Sequence, residues 1–306
     1  MDRPPAPSRR SFLLAGAVAL GAAACGDDGK DDGTASGVGS STTQPSDAAG
    51  YSLIEVFPRN PSYLAAGFAQ RLPYLIAPGQ DAPLDRIEGT VTFAVSLEGT
   101  PVGEPVEVTP GGGAPLPRAY LPFRFTFPEP GLYDVVATWG DREMGTAVQV
   151  SDPSQVRIPQ VGAPMPSLDT PTVSDARGVD PICTAEPPCA FHTTNLADAL
   201  GAGRPVVVLL STPKFCVSQV CGPVLEVLTE AAKGRTDIDV IHVEPYANPL
   251  AVDSIAQATP SAFTTGYHME FEPALFAANA AGILVARLDS IYDTSELDNA
   301  LTLATS

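Results

Sequence analysis

Positive charge is scarce in this chain. Its 306 residues carry 17 Lys and Arg against 35 Asp and Glu, a formal net charge of −18 at pH 7. No basic cluster lies beyond the first ten residues, so nucleic acid and other polyanions are excluded as partners, whereas a substrate with a basic surface would be steered favourably. Long apolar runs are missing too. Residues 12–24 form an apolar stretch too short to cross a bilayer, and nothing further along is apolar enough. Cysteine is sparse: Cys25, Cys183, Cys189, Cys216 and Cys221 are all there is. None lies between 26 and 182, which excludes an inter-sheet disulfide in that stretch. What is plentiful is hydrophobic residues, at 44%, enough for packed cores, with 32 Pro and 27 Gly to make turns and linkers. The length suggests two domains once a leader is removed.

The leader is residues 1–24. Ser8-Arg9-Arg10-Ser11-Phe12-Leu13-Leu14 resembles a twin-arginine export signal. Ala22-Ala23-Ala24-Cys25 then resembles a bacterial lipobox, with Ala22 where Leu is usual. The resemblance implies lipidation of Cys25 and anchoring to the outer face of the cytoplasmic membrane, in a bacterial cell envelope. Plain cleavage after Ala-x-Ala would instead leave a secreted protein. Residues 25–50 are mostly Gly, Ser, Thr and Asp. They cannot bury enough surface to fold, and read as a flexible tether.

Residues 51–152 read as all-β. Val91, Phe93, Val95 and Leu97 alternate with polar or small residues, as do Phe123, Phe125 and Phe127, and Tyr133, Val135, Ala137 and Trp139. Pro and Gly clusters separate these runs, and about seven short strands predict an antiparallel sandwich. Pro128-Glu129-Pro130-Gly131-Leu132-Tyr133 resembles the turn before the tyrosine corner of immunoglobulin-like folds, with Tyr133 at the corner. No catalytic constellation lies here, so a spacer or interaction module is expected. Residues 153–180, with Pro159, Pro164, Pro166 and Pro171, read as a semi-rigid extended linker, part of which lies against the next domain.

Residues 206–228 organise the remainder. The β-branched run 206–210 predicts a buried central strand, a polar turn carries Cys216 and Cys221, and Val224, Leu225 and Leu228 then recur at helical spacing, with Gly234 as a stop. Two cysteines five apart cannot both be mid-helix and bonded, because they would lie about 140° apart around the axis. Cys216 is therefore placed in the turn and Cys221 in or near the first helical turn, where backbone N–H groups and the helix dipole favour a thiolate. Two buried, inert cysteines are the alternative. Four cysteines beyond Cys25 permit three pairings. Proximity favours Cys216 with Cys221, and Cys183 with Cys189 as a structural staple worth roughly 2 kcal/mol. Cys183 and Cys189 as a second redox pair, or as metal ligands with His192, are weaker readings, because zinc sites usually have four ligands at tighter spacing.

The strand, Phe215-Cys216, Cys221-Gly222-Pro223 and the helix together resemble the active-site region of the thioredoxin-like superfamily, especially its membrane-anchored extracytoplasmic members. Two departures stand out. Four residues separate the cysteines where two are usual, and Phe215 stands where Trp is common. In the preferred register Cys216 is the attacking cysteine. In the other register Cys221 attacks and Val224 takes the partner position. The resemblance extends over most of 181–306: a helix capped by Thr194-Asn195, the central strand, the two-cysteine turn, a helix, a strand at 239–243, an irregular stretch, a hairpin from 272 to 288, and a last helix opened by Asp293-Thr294-Ser295-Glu296. It implies that Pro273 is the cis-proline facing the cysteines. Glu272 beside it reads from its charge as a proton acceptor if it lies near the thiols, or else as a solvated surface carboxylate.

Three functions follow as expectations. The first is a thiol–disulfide oxidoreductase, with Cys216 attacking and Cys221 resolving, acting on envelope or secreted thiol proteins without a cofactor or metal. The second is copper delivery, with Cys216, Cys221 and either His242 or His268 as ligands. The third is a non-catalytic envelope lipoprotein that uses the fold as a scaffold.

Overall fold

The computed structural model describes residues 50–306. The export signal, Cys25 and nearly all of the tether lie outside the described residues. Among those described, no helix is long and apolar enough to cross a membrane.

The first part is built from nine strands: β1 (Tyr51–Glu55), β2 (Leu64–Ala65), β3 (Ala69–Pro78), β4 (Val91–Leu97), β5 (Thr100–Pro101), β6 (Val106–Val108), β7 (Leu121–Thr126), β8 (Gly131–Trp139) and β9 (Arg142–Ser151). They form a sheet of order β1-β3-β7 and a second of order β2-β9-β8-β4-β5, with β6 also paired to β4. The period-two pattern decides which way side chains face. Val91, Phe93 and Val95 of β4 and Tyr133, Val135 and Ala137 of β8 are buried, while Ala94, Asp134 and Thr138 are exposed. Between the sheets Phe93 and Phe123 stack with ring centroids 4.5 Å apart, next to Tyr74. The Tyr133 hydroxyl donates to the Glu129 carbonyl at 2.8 Å, the corner contact expected of this turn.

The second part is a four-stranded sheet of order β11-β10-β12-β13, made by β10 (Val206–Leu210), β11 (Asp239–Val243), β12 (Ala274–Ala278) and β13 (Leu284–Asp289). β10 runs parallel to β11 and antiparallel to β12, and β12 pairs antiparallel with β13. Four helices accompany it: α1 (Leu196–Gly201), α2 (Cys221–Ala231), α3 (Ala262–Gly266) and α4 (Thr294–Thr305). All five residues of β10 are buried, as a central strand covered on both faces requires. Val206, Val208 and Leu210 pack with Leu196, Phe263 and Tyr267, from the side of α1 and α3. Val207 and Leu209 pack with Val224, Leu228, Leu297 and Leu301, from the side of α2 and α4.

Both cores continue into the first part. Leu72, Tyr74 and Phe93 belong to the same apolar cluster as β10's Val206, while Leu75 and Tyr120 belong to that of Val207. β3 explains this, since its residues are buried almost without interruption, unlike the alternating β4. One face of β3 meets the opposite sheet and the other meets the second part. The described residues accordingly form one compact unit.

Residues 153–180 lie against the second part over more of their length than the partial contact expected of a linker, although 173–178 are exposed. Gly162 and Met165 donate to the carbonyls of Leu284 and Gly282, each at 2.8 Å, and Leu284 donates to Ala163 at 2.9 Å. Thus 162–165 extends the sheet beside β13. The Pro166 carbonyl accepts from the Tyr267 hydroxyl at 2.7 Å. Proline density gives an extended backbone, but Ile158, Met165 and Val179 supply the apolar anchors that keep it down.

A buried ionic network fastens the two parts. Arg71 on β3 donates to both Glu296 oxygens, at 2.8 and 2.5 Å, and to the carbonyls of Asp289 and Ile291. Glu296, in the first turn of α4, also accepts from Tyr120 at 2.8 Å and Arg124 at 2.6 Å. Burial pushes the Glu296 carboxyl up, but the Arg71 charge and hydrogen bonds outweigh it and hold the carboxyl below its ordinary range. The capping signature at 293–296 is therefore half realised. Asp293 accepts from the Glu296 N–H at 3.1 Å, while the Glu296 side chain is committed to the arginines.

Candidate functional site

Two groups of cysteines sit beyond the C-terminal end of β10. Cys216 and Cys221 are joined in a disulfide, with Cα atoms 5.9 Å apart. Cys216 lies in the turn and is partly exposed, while Cys221 is the first residue of α2 and is fully buried. Val220 precedes the helix and offers no side-chain cap. Cys216 Sγ takes that place, accepting the Cys221 backbone N–H at 3.2 Å, with the Ser218 hydroxyl also at 3.2 Å. A thiolate on Cys216 would thus sit where the helix start has an unpaired donor and partial positive charge. Next to it, the Val217 side chain is 88% exposed, an apolar group presented to solvent beside the accessible sulfur.

Pro273 precedes β12, and its peptide bond with Glu272 is cis. The pairing of Leu210 with Ala274 sets Pro273 across from Ser211, where the cysteine turn leaves β10. Glu272 is not a solvated surface carboxylate. Its Oε2 is buried without a partner, and its pKa is pushed up to about 8, first by burial and then by the Glu244 carboxylate. Glu244 is likewise raised, chiefly by burial, although the Thr184 N–H donates to its Oε1 at 2.6 Å.

Cys183 and Cys189 are not the staple expected. Both are free thiols, with sulfurs 3.8 Å apart, well beyond a disulfide bond. They are held apart by the company they keep. His242 Nδ1 lies 3.7 Å from Cys183 Sγ and 3.4 Å from Cys189 Sγ, and His192 Nε2 lies 3.2 Å from Cys189 Sγ. One ligating atom from each of the four residues falls within 4.8 Å of every other. Cys183 is the sulfur prepared to be a thiolate. It shares a hydrogen bond with the Cys189 thiol and accepts the Cys189 backbone N–H at 3.4 Å, and these lower it although its own burial opposes ionisation. The shared hydrogen bond and burial push the Cys189 thiol up.

The copper set expected of Cys216, Cys221 and a histidine is not assembled. His242 faces the other two cysteines, and His268 is exposed after α3 with a φ of 54°. Sequence reading saw Cys183, Cys189 and His192 together but missed their union with His242. The signal was a histidine inside the apolar strand 239–243, which reads equally well as a core residue.

A groove of about 890 Å3 lies beside Cys189, lined by Pro187 and Pro188 and by Gly222, Pro223 and Glu226 of α2.

No protein-family model matches the chain, and no curated protein matches it. Among solved structures it is similar to one titled "Structure of Titin M4 trigonal form", at 11% identity and a TM-score of 0.19, over 33% of this chain and 94% of that one.

Proposed function

We propose that this protein is a membrane-anchored extracytoplasmic thiol–disulfide oxidoreductase, acting on envelope or secreted thiol proteins through Cys216 and Cys221. The observation that carries the reading is the asymmetric disulfide: one sulfur within reach of solvent at a helix start, the other sealed in the core. In the reduced protein, Cys216 thiolate attacks a partner disulfide, forming a mixed disulfide and expelling one partner thiolate. Cys221 then attacks Cys216 Sγ, releasing the second partner thiolate and closing the disulfide. Two electrons pass to the partner, and the Cys216 and Cys221 protons pass to solvent or nearby bases. Run backwards, the oxidised form takes two electrons from a dithiol.

A thioredoxin-like second part is consistent with the order β11-β10-β12-β13, with the helices on both sheet faces, and with Pro273 at the start of β12. An immunoglobulin-like first part is consistent with the two sheets and the Tyr133 corner, and in this reading it is the spacer. The lipid anchor at Cys25 rests on the lipobox resemblance alone.

The test uses the full chain. Exchange with a disulfide substrate should be lost in Cys216→Ser, and Cys221→Ser should accumulate a mixed disulfide with its partner. A Cys216–Cys221 potential below about −300 mV together with no exchange would mark a structural bridge and end this reading.

A further inference from the structure

We infer that Cys183, Cys189, His192 and His242 form a four-ligand structural zinc site. This departs from the expectation that the chain carries no metal, and it is independent of the redox reading of Cys216 and Cys221.

The first argument is distance. Zinc bonds of about 2.3 Å to sulfur and 2.0–2.1 Å to nitrogen, at tetrahedral angles, put two sulfurs about 3.8 Å apart and a sulfur and a nitrogen about 3.6 Å apart. The sulfurs here are 3.8 Å apart, and three sulfur–nitrogen separations are 3.7, 3.4 and 3.2 Å. An ion enters this set with shifts of a few tenths of an ångström. The second argument is the tautomer of His242. Its Nε2 lies 3.0 Å from the Ser211 carbonyl oxygen, which can only accept, and equally close to the Ser211 hydroxyl, which can accept as well. Nε2 therefore carries the proton, and the Nδ1 lone pair is aimed at both sulfurs. This is how a metal-ligating imidazole is oriented from behind. The third is His192, which is buried, with Nε2 against Cys189 and Nδ1 without any partner. As a bare imidazole it is poorly compensated, whereas coordination offsets its burial.

Charge and ligand type select the metal. Two thiolates and two neutral imidazoles around a divalent ion make a neutral centre, suited to a buried position near the Glu244 carboxyl. Monovalent copper would leave a net negative charge there. Calcium and magnesium take oxygen ligands, and this set offers sulfur and nitrogen. Four protein ligands leave no open position, so the site is structural and not catalytic. It also has something to hold. The loop carrying Cys183, Cys189 and His192 has little regular structure, and its main visible tie to β11 is the His242 N–H donated to the Phe191 carbonyl at 2.8 Å.

The test removes the other thiols. The full chain carrying Cys216→Ser and Cys221→Ser is purified under reductant, given Zn2+ and desalted. One zinc should remain per chain, with an X-ray absorption signature of two sulfurs and two nitrogens. Cys183 and Cys189 should resist alkylation until a chelator is added. His192→Gln and Cys189→Ser should each weaken retention by at least 100-fold. Where a variant fails to fold, the alkylation protection of the parent protein decides. Failure to retain zinc, thiols that alkylate equally with and without zinc, or a Cys183–Cys189 disulfide in the folded protein isolated without reductant would overturn the site.

Discussion

Replacing Glu272 by Gln should remove the pH dependence that this carboxyl imposes on stability. In the folded protein the group titrates near pH 8, against an ordinary value of 4.5, with burial the larger cause and the Glu244 carboxylate the smaller. The folded state therefore binds a proton that the unfolded state releases between those two values. Its contribution to stability is complete below about pH 4.5 and is lost as pH rises toward 8. Each pH unit of difference is worth about 1.4 kcal/mol, so the bound is about 5 kcal/mol, and local relaxation around a group that is not wholly enclosed lowers the expectation to about 2–4 kcal/mol. Gln keeps the shape, but it does not titrate. Urea unfolding of both proteins at pH 5, 7 and 9 gives the difference curve, in which other carboxylates cancel. The variant should match the wild type at pH 5 and exceed it by that margin at pH 9. Parallel curves would refute a buried, neutral Glu272.

Arg71→Met should destabilise by about 3–5 kcal/mol in chemical unfolding, because it leaves Glu296 buried with only Tyr120 and the half-exposed Arg124 for partners. Adding Glu296→Gln to that variant should restore part of the loss, and a further additive loss would contradict the pairing. Gly111→Ala should cost about 1–3 kcal/mol, since its Cβ would come within 2.5–2.6 Å of the buried Tyr120 ring and 2.7 Å of its hydroxyl, and thermal melts would register it.

Strand periodicity carried far in this sequence. The runs predicted at 206–210 and 239–243 coincide with β10 and β11, and the alternation of Val91 to Leu97 is the burial pattern of β4. The two-cysteine turn and its Cys216–Cys221 bond were readable because both residues are local to one strand–helix junction. What failed to show was everything non-local. His242 joins cysteines more than 50 residues away, and nothing in a strand of five apolar and polar residues marks one of them as facing a thiol. Arg71 and Glu296 meet across 225 residues, so Glu296 looked like an ordinary capping residue. Proline content at 153–180 spoke of extension and said little about what the extended chain lies against.

The continuity of both apolar cores through β3 has a practical corollary. Cutting the backbone between Ser151 and Leu196 would strand Arg71 without its carboxylate on one piece, and would leave a naked sheet face on each. Neither piece would survive as an autonomous module. Co-expressed, they should find each other and refold as complementing fragments, so a swap of the β-rich portion between homologues would have to carry its contact residues with it.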